Sequence, residues 1–361
     1  MATQAVELND LFRFNDGGAV RRPEDWPRRR QELADAILPG EYGGMPPTPL
    51  APTRVEVLHK STVRQWEGVQ YVTLRVIPGS ERPLPFILTL LIPPGPGPFP
   101  VVLNGDACWR YANDEVAAEV LRRGNILAQF NRVELAPDVY TMDRTSGLYT
   151  VYPEGCYGAL SAWAWGYHRC VDALLALPYV EAQHIAIVGH SRGGKTALLA
   201  GATDTRIALT CANNSGCGGA GCFKFQGPKS ETIADSFKAI AYWYAPGLKN
   251  FMGREAELPF DQHFLKAMVA PRALLTCEAL GDLWANPTGT WRTHLAARQA
   301  YRFLGTESRL GIWFREGEHN HGLVDWQAFL DFMDWQFRGL TPKHRFDECP
   351  FPELAAPGAA R

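Results

Sequence analysis

Residues 185–201 read Ile-Ala-Ile-Val-Gly-His-Ser-Arg-Gly-Gly-Lys-Thr-Ala-Leu-Leu-Ala-Gly, and this stretch decides the fold. An apolar run ends at Val188, a Gly-x-Ser-x-Gly turn follows, and a helical pattern begins after it. Glycine on both sides of Ser191 allows a turn that is too tight for side chains, and the turn brings the serine hydroxyl to the start of the helix. Backbone amides at a helix start can stabilise an oxyanion. The stretch therefore predicts Ser191 as a nucleophile at a strand-to-helix turn.

On both sides of this turn, short apolar runs alternate with helical stretches. The runs cover residues 100–103, 125–130, 184–188, 207–211, 273–277 and 310–314. Continuous apolar strands separated by helices form a parallel sheet that is covered on both faces. The pattern predicts an α/β-hydrolase fold, a three-layer sandwich with a mostly parallel central sheet flanked by helices. Residues 53–93 instead alternate apolar and polar side chains, which predicts half-buried antiparallel strands before the parallel ones.

The chain is expected to form one catalytic domain with short additions at its ends. We assign residues 1–52 to an N-terminal helix, from Pro23 to Ala36, and an irregular arm packed on the domain. Residues 53–340 form the catalytic domain, and residues 341–361 form a C-terminal tail. The Pro/Gly cluster from Pro93 to Pro100 is a turn and not a linker.

A serine nucleophile needs a base, and the base needs an acid that fixes its tautomer. In this fold the acid and then the histidine follow the serine along the chain, beyond the carboxyl ends of later strands. Asp282 follows the run that ends at residue 277, and His319 follows the last run. We assign Asp282 as the acid and His319 as the base. His321 and Glu278 remain alternatives, but His321 lies further from its strand and Glu278 lies close enough to remain within one.

Composition excludes several classes of protein. The net charge is −2 and the pI is about 6.5, so nothing draws the chain to nucleic acid or to anionic lipid. No run approaches the length of a membrane span, and no pair of cysteines has the spacing of a zinc site, so we expect no metal and no cofactor. The first residues lack a signal pattern, which suggests a cytoplasmic protein, or an exported one whose signal lies outside this sequence. The oligomeric state stays open. His190 and His263 are expected to be structural.

Several longer motifs occur in one order along the chain. They are Gly189-His-Ser-Arg-Gly-Gly-Lys-Thr-Ala197, Asn213-Asn-Ser-Gly-Cys-Gly-Gly219, Glu231-Thr232, Leu258-Pro-Phe-Asp-Gln-His263 and Asp282-Leu-Trp-Ala-Asn-Pro287, with Ala162-Trp-Ala-Trp-Gly166 upstream. At these residues the sequence resembles carbohydrate esterase family 15, the glucuronoyl esterases, and in particular its bacterial-type branch. The resemblance runs from about residue 16 to residue 339. It implies a serine esterase that cleaves the ester between 4-O-methyl-glucuronic acid of xylan and an alcohol of lignin.

The resemblance also implies roles for individual residues. The guanidinium of Arg192 would join the oxyanion hole, where a cation is most effective in a dry site. Lys195, Glu231 and Trp284 match positions that bind the uronic sugar, and Gln226 is a weaker match to a sugar-binding glutamine. The loop Asn104–Trp109 follows the strand that usually supplies a second oxyanion amide, without indicating which amide.

One position departs from part of the family. Many relatives, the fungal ones especially, carry the acid as glutamate just before the Ser-Gly-x-Gly-Gly loop, where this chain has Asn214. An amide cannot supply the negative charge, so the acid is expected to be Asp282, and Asn214→Asp is expected to change little. The alternative functions are an acetyl-xylan type esterase with the same triad and a non-catalytic carbohydrate-binding relative.

Overall fold

The computed structural model of the chain describes residues 7–139 and 144–352. One mixed sheet runs through the described residues and contains nine strands. The strands are β1 (Ala51–Thr62), β2 (Gln70–Gly79), β3 (Phe86–Ile92), β4 (Phe99–Asn104), β5 (Ile126–Phe130), β6 (Val180–His190), β7 (Leu209–Asn213), β8 (Ala273–Ala279) and β9 (Leu310–Arg315). Their spatial order is β1-β2-β3-β5-β4-β6-β7-β8-β9.

The direction of the strands divides the sheet into two parts. β1, β2, β3 and β5 pair antiparallel, and β5, β4, β6, β7, β8 and β9 pair parallel. The change follows from the residue pattern, because β3 alternates buried and half-buried positions while every residue of β7 and β8 is buried. The expected α/β-hydrolase fold is confirmed.

Helices cover both faces of the parallel part. They are α1 (Trp26–Ile37), α2 (Asp114–Arg122), α3 (Leu148–Val151), α4 (Ala159–Leu175), α5 (Arg192–Thr203), α6 (Ile233–Ala239), α7 (His263–Val269), α8 (Pro287–Phe303) and α9 (Leu323–Arg338). α2 and α9 pack with one group of buried apolar side chains, and α4, α5 and α7 with the other. No helix in the described ranges is both long and apolar enough to span a bilayer.

Both ends of the described chain pack on this sandwich. A 3-10 turn at Pro23–Asp25 leads into α1, whose Arg30 donates to the carbonyl of Met268, at 2.8 Å, in α7. β1 begins at Ala51, so the strand starts two residues inside the segment expected to be an irregular arm. Near the other end, the amide of Ile312 donates to the carbonyl of Phe346 at 2.8 Å. The proposed domain boundaries stay a prediction, and residues 1–6 and 353–361 of the arm and tail lie outside the described residues.

Candidate active site

The turn between β6 and α5 has the backbone that the sequence predicts for a nucleophile. Ser191 has a φ of 55° and a ψ of −124°, and its amide donates to the carbonyl of Asn213 at 2.9 Å. A Cβ atom at Gly189 would lie 2.2 Å from the carbonyl oxygen of Gly193, and one at Gly193 would lie 2.1 Å from Asp106 Oδ1. The left-handed φ at Ser191 is a strained conformation for a side-chain-bearing residue, of the kind that surrounding structure holds at functional sites.

His319 and Asp282 are in direct contact beside this turn. The distance from His319 Nδ1 to Asp282 Oδ2 is 2.5 Å, and Asn214 Nδ2 donates to the same oxygen at 2.8 Å. Burial alone would raise the pKa of Asp282, but the hydrogen bonds from His319 and Asn214 outweigh it and hold that pKa below its ordinary value. Asp282 is therefore ionised at neutral pH and can orient the imidazole through Nδ1, which leaves Nε2 free to act as a base.

The two alternatives lie in other surroundings. Glu278 is fully buried in β8, and its Oε1 accepts from Thr290 at 3.1 Å. Burial, reinforced by the charge of Asp282, raises the pKa of Glu278 to about 8. His321 is buried and stacks on Trp326, with ring centroids 4.9 Å apart, and its burial lowers its pKa to about 3. Neither side chain lines the cavity that contains Ser191, so the geometry favours Asp282 and His319.

His190 precedes Ser191 and packs inside the turn between β6 and α5. Its Nδ1 lies 2.6 Å from Asn213 Oδ1, its amide donates to Asp106 at 3.0 Å, and its ring centroid lies 4.4 Å from that of His319. Burial lowers the pKa of His190 to about 3, so its ring is neutral at neutral pH. His263 is also buried, with Nε2 2.9 Å from the carbonyl oxygen of Asn9, which fits the structural role expected for both histidines.

Arg192 extends along the wall of the cavity from the first turn of α5. Its Nη1 donates to both carboxylate oxygens of Asp138 at 3.0 Å. Its guanidinium carbon lies 4.7 Å from the ring centroid of Trp243 and 5.1 Å from that of Trp109. The ion pair and the two rings fix the cation in the wall of the cavity that also contains Ser191.

Lys195 and Glu231 form a second, buried ion pair, in which Lys195 Nζ lies 5.8 Å from the ring centroid of the same Trp243. Lys195 Nζ lies 3.0 Å from Glu231 Oε2 and also donates to the carbonyl of Cys217. Glu231 Oε1 accepts from the hydroxyl of Ser236 at 2.8 Å. Both charged side chains are less than 5% exposed, and both still line the cavity. They can offer a donor and an acceptor to a polar ligand at fixed positions.

The predicted site residues meet in one cavity of about 430 Å³. It contains Ser191, Arg192, Lys195, Glu231, Asp282, Trp284 and His319. Trp284 is 52% exposed at its rim. Trp243, Ile240 and Asp235 also line the cavity, and sequence reasoning missed them. The aromatic run Tyr242-Trp-Tyr244 was the only available signal for Trp243.

Two further segments named from the sequence lie near the site. Gln226 is exposed and does not line the cavity, because Asn286 holds its neighbours by accepting from the amide of Gly227 and donating to the carbonyl of Phe225. In the loop Asn104–Trp109, most amides already have partners. Those of residues 105, 106, 107 and 109 donate to Tyr167 Oη, Asn104 Oδ1, the carbonyl of Phe130 and the carbonyl of Asp106. Few backbone amides of this loop are therefore free to donate to an oxyanion. The guanidinium of Arg192 becomes the more important candidate donor.

No group of three or more His, Cys, Asp or Glu side chains is arranged to hold a metal ion anywhere in residues 7–139 and 144–352. Within the same ranges, the charged side chains that line the cavity are paired with other protein groups or cap a helix. The groups that the cavity offers to a substrate are a serine hydroxyl, an imidazole, three carboxylates and two cations.

Comparisons with known proteins identify the family of this chain. The family model described as "Glucuronyl esterase, fungi" matches residues 78–305. The chain is 30% identical over 334 residues to 4-O-methyl-glucuronoyl methylesterase 1 of Wolfiporia cocos, covering 87% of this chain and 76% of that protein. It is 29% identical to a 4-O-methyl-glucuronoyl methylesterase of Podospora anserina, where 88% of this chain matches but only 64% of that protein is spanned.

Solved structures give the same answer over a larger share of the chain. A carbohydrate esterase family 15 glucuronoyl esterase from Caldicellulosiruptor kristjansonii superposes with a TM-score of 0.82 at 32% identity, covering 96% of this chain and 94% of that one. A Sporotrichum thermophile enzyme in complex with methyl 4-O-methyl-beta-D-glucopyranuronate superposes with a TM-score of 0.78 at 25% identity, covering 95% and 92%. The resemblance read from the motifs is confirmed: this chain belongs to the glucuronyl esterase family.

Proposed function

We propose that this protein is a serine carboxylesterase that hydrolyses an ester of a uronic acid, of the 4-O-methyl-glucuronoyl type found between xylan and lignin. The observation that carries the proposal is the 2.5 Å contact between His319 Nδ1 and Asp282 Oδ2 in a cavity that also holds Ser191 and Arg192. The names of the relatives, 4-O-methyl-glucuronoyl methylesterases, supply the class of substrate.

The reaction proceeds through an acyl-enzyme. His319 Nε2 takes the proton of Ser191 while the serine oxygen attacks the ester carbonyl, and Asp282 stabilises the imidazolium that forms. The carbonyl oxygen becomes an oxyanion beside the guanidinium of Arg192. His319 then protonates the leaving alcohol, and the C–O bond to that alcohol breaks. A water molecule repeats the sequence on the acyl group, which releases the uronic acid and restores the serine.

The remaining cavity wall suits the uronic sugar. A volume of about 430 Å³ is enough for one sugar ring and part of its substituents. The Lys195–Glu231 pair supplies a donor and an acceptor for sugar hydroxyls, and Trp284 offers an indole face and an N–H donor at the rim. The ester is held by its sugar side, while the alcohol extends toward solvent.

Relative rates on two classes of ester test the proposal. We expect hydrolysis of methyl or benzyl glucuronate to exceed that of an acetylated xylo-oligosaccharide, and we expect a fluorophosphonate to label Ser191. Ser191→Ala is the matched control and should lose both turnover and labelling. Preferential release of acetate would assign the acetyl esterase alternative instead. Absence of labelling in the folded wild-type protein would favour a non-catalytic carbohydrate-binding relative.

A further inference from the structure

Both cations of the candidate site are paired with carboxylates. Arg192 and Lys195 are the cations of the cavity wall, and each is bound to a carboxylate, Asp138 and Glu231 respectively. The wall also contains the carboxylates of Asp235 and Asp282, apart from these pairs. Carboxylates therefore outnumber cations around a site whose proposed product is itself a carboxylate.

Among the carboxylates named here, Asp138 does not line the cavity. It contacts the cavity wall through Arg192. It accepts from Arg192 Nη1 with both oxygens, from Arg132 Nη2 at 3.2 Å and from the hydroxyl of Tyr242 at 2.6 Å. Its side chain is only 10% exposed. Solvent screening is weak for such a carboxylate, so its charge acts strongly on the guanidinium beside it.

Arg132 is shared between Asp138 and a second carboxylate, Asp106, so it offsets the charge of Asp138 only in part. Arg132 is fully buried, and its Nη1 donates to Asp106 at 2.6 Å. Its guanidinium carbon lies 4.1 Å from the ring centroid of Trp109, the same ring that faces Arg192. Two carboxylates and two guanidinium groups thus alternate from the base of the serine turn to the cavity, and the positive charge of Arg192 is matched by Asp138.

We propose that Asp138 makes the cavity selective for the neutral ester over the uronate anion that hydrolysis produces. The inference rests on the proposed function. A guanidinium without a counter-charge would bind the product carboxylate as an ion pair and retain it. With Asp138 in place, Arg192 can still donate hydrogen bonds to an oxyanion, because its bonds to Asp138 come from Nη1 and no hydrogen bond from its Nη2 occurs within the described residues. Asp138 is then a positioning residue for Arg192 and a determinant of product release.

The experiment measures the affinity of an anion and of its neutral isostere. The background is Ser191→Ala, and the probes are glucuronate and glucuronamide at pH 7, measured by calorimetry. Asp138→Asn should tighten the binding of glucuronate by about tenfold, a moderate effect for a partly exposed charge pair. The affinity for glucuronamide should change by less than about twofold. Asp138→Glu, which keeps the charge, should bind glucuronate as weakly as the parent.

A double variant identifies the cation. In a Ser191→Ala, Arg192→Gln background, Asp138→Asn should no longer tighten glucuronate, because the cation that it uncovers has been removed. Unchanged glucuronate affinity in Asp138→Asn, with normal glucuronamide binding, overturns this inference and leaves the proposed function intact. If neither probe binds, the proposed uronate site is wrong and the inference falls with it.

A further measurement does not depend on the folding of any Asp138 variant. With Asp138 present, the Ser191→Ala protein should bind glucuronate no more tightly than glucuronamide. Glucuronate that binds tenfold more tightly than the amide would show an uncompensated cation and would contradict the proposal.

Discussion

Asn214 and His319 donate to the same oxygen of Asp282, at 2.8 and 2.5 Å. Asn214 adopts a left-handed φ of 42°, and its amide donates to the carbonyl of Cys277 at 2.8 Å. The residue that replaces the glutamate of many relatives is therefore a hydrogen-bond donor to the acid at its new position. It stabilises the charged form of Asp282, which the sequence alone did not indicate.

We expect substitutions at Asn214 to move the acidic limb of the pH–rate profile. Asp282 has a pKa below its ordinary value, so its carboxylate form and the stability it gives are lost only as the pH falls through that lowered value. Asn214→Ala removes a donor and should move the acidic limb of kcat/KM to higher pH. Asn214→Asp places two carboxylates in contact, where they share a proton, and should move it further, by about one unit or more.

This expectation replaces the view that Asn214→Asp would change little. The pH profiles of the parent, Asn214→Ala and Asn214→Asp should be measured with one glucuronate ester. Coincident acidic limbs in all three would show that the contact with Asp282 has no effect on catalysis.

Ser191→Ala and His319→Ala should each lower kcat by roughly 10³-fold or more, because the serine and its base act as one unit. His321→Ala is the matched control, since that ring is buried against Trp326 and does not line the cavity. It should retain far more activity than His319→Ala, although one anchor of the loop that carries His319 is lost, and the free energy of unfolding should fall by on the order of 2 kcal/mol. A stable but inactive His321→Ala enzyme would transfer the role of base to that residue.

Asp282→Asn and Glu278→Gln separate the two candidate acids. Asp282→Asn should fold and lose about 10⁴ in kcat, the loss seen when the orienting acid of a serine hydrolase is replaced by its amide. Glu278 is protonated at neutral pH, since burial raises its pKa to about 8, so its amide is close to isosteric and should remain active. The kcat values of the two variants, measured side by side, identify the acid. An active Asp282→Asn enzyme with an inactive Glu278→Gln enzyme would assign that role to Glu278.

Arg192→Ala should lower kcat by about 10²–10³ with a smaller effect on KM. Arg192 lines the cavity that holds Ser191, where charge develops in the transition state, and only such differential binding raises kcat. Steady-state kinetics on a methyl glucuronate ester provide the two constants. If KM rises while kcat is unchanged, Arg192 contributes to substrate binding and not to stabilisation of the transition state.

Trp284→Ala should raise KM and leave the fold unaffected. Its side chain is 52% exposed at the cavity rim, so little apolar burial is lost on truncation. Glu231→Gln is the buried comparison: it leaves Lys195 buried without its counter-charge, and should cost roughly 3–5 kcal/mol of stability. Thermal unfolding and KM for both variants test the contrast. Unchanged KM in Trp284→Ala would remove it from the sugar site.

The strand pattern was sufficient to predict where the reacting groups lie. Ser191, Asp282 and His319 each follow the carboxyl end of a parallel strand, and neighbouring parallel strands end at the same edge of a sheet. The placement of Gln226 could not be predicted in this way. It lies in an irregular segment whose position depends on hydrogen bonds to Asn286, about sixty residues later.

The same reasoning explains why Asp138 and Trp243 were missed. Both lie in segments without hydrophobic periodicity, and both contact Arg192 only through tertiary packing. A sequence pattern reports local spacing, whereas their contacts join residues about fifty positions apart. The charge balance of the cavity was therefore invisible until the fold was known.

The stacking of His321 between His190 and Trp326 has a consequence for heat inactivation. The end of the loop that carries His319 is anchored between the serine strand and α9 by the buried ring of His321, although the His319 side chain itself is 43% exposed. The conformational entropy of this loop is therefore lost when the protein folds, and not again in each catalytic cycle. Catalytic competence and the native fold should therefore be lost together on heating, without a preceding state that is folded but inactive.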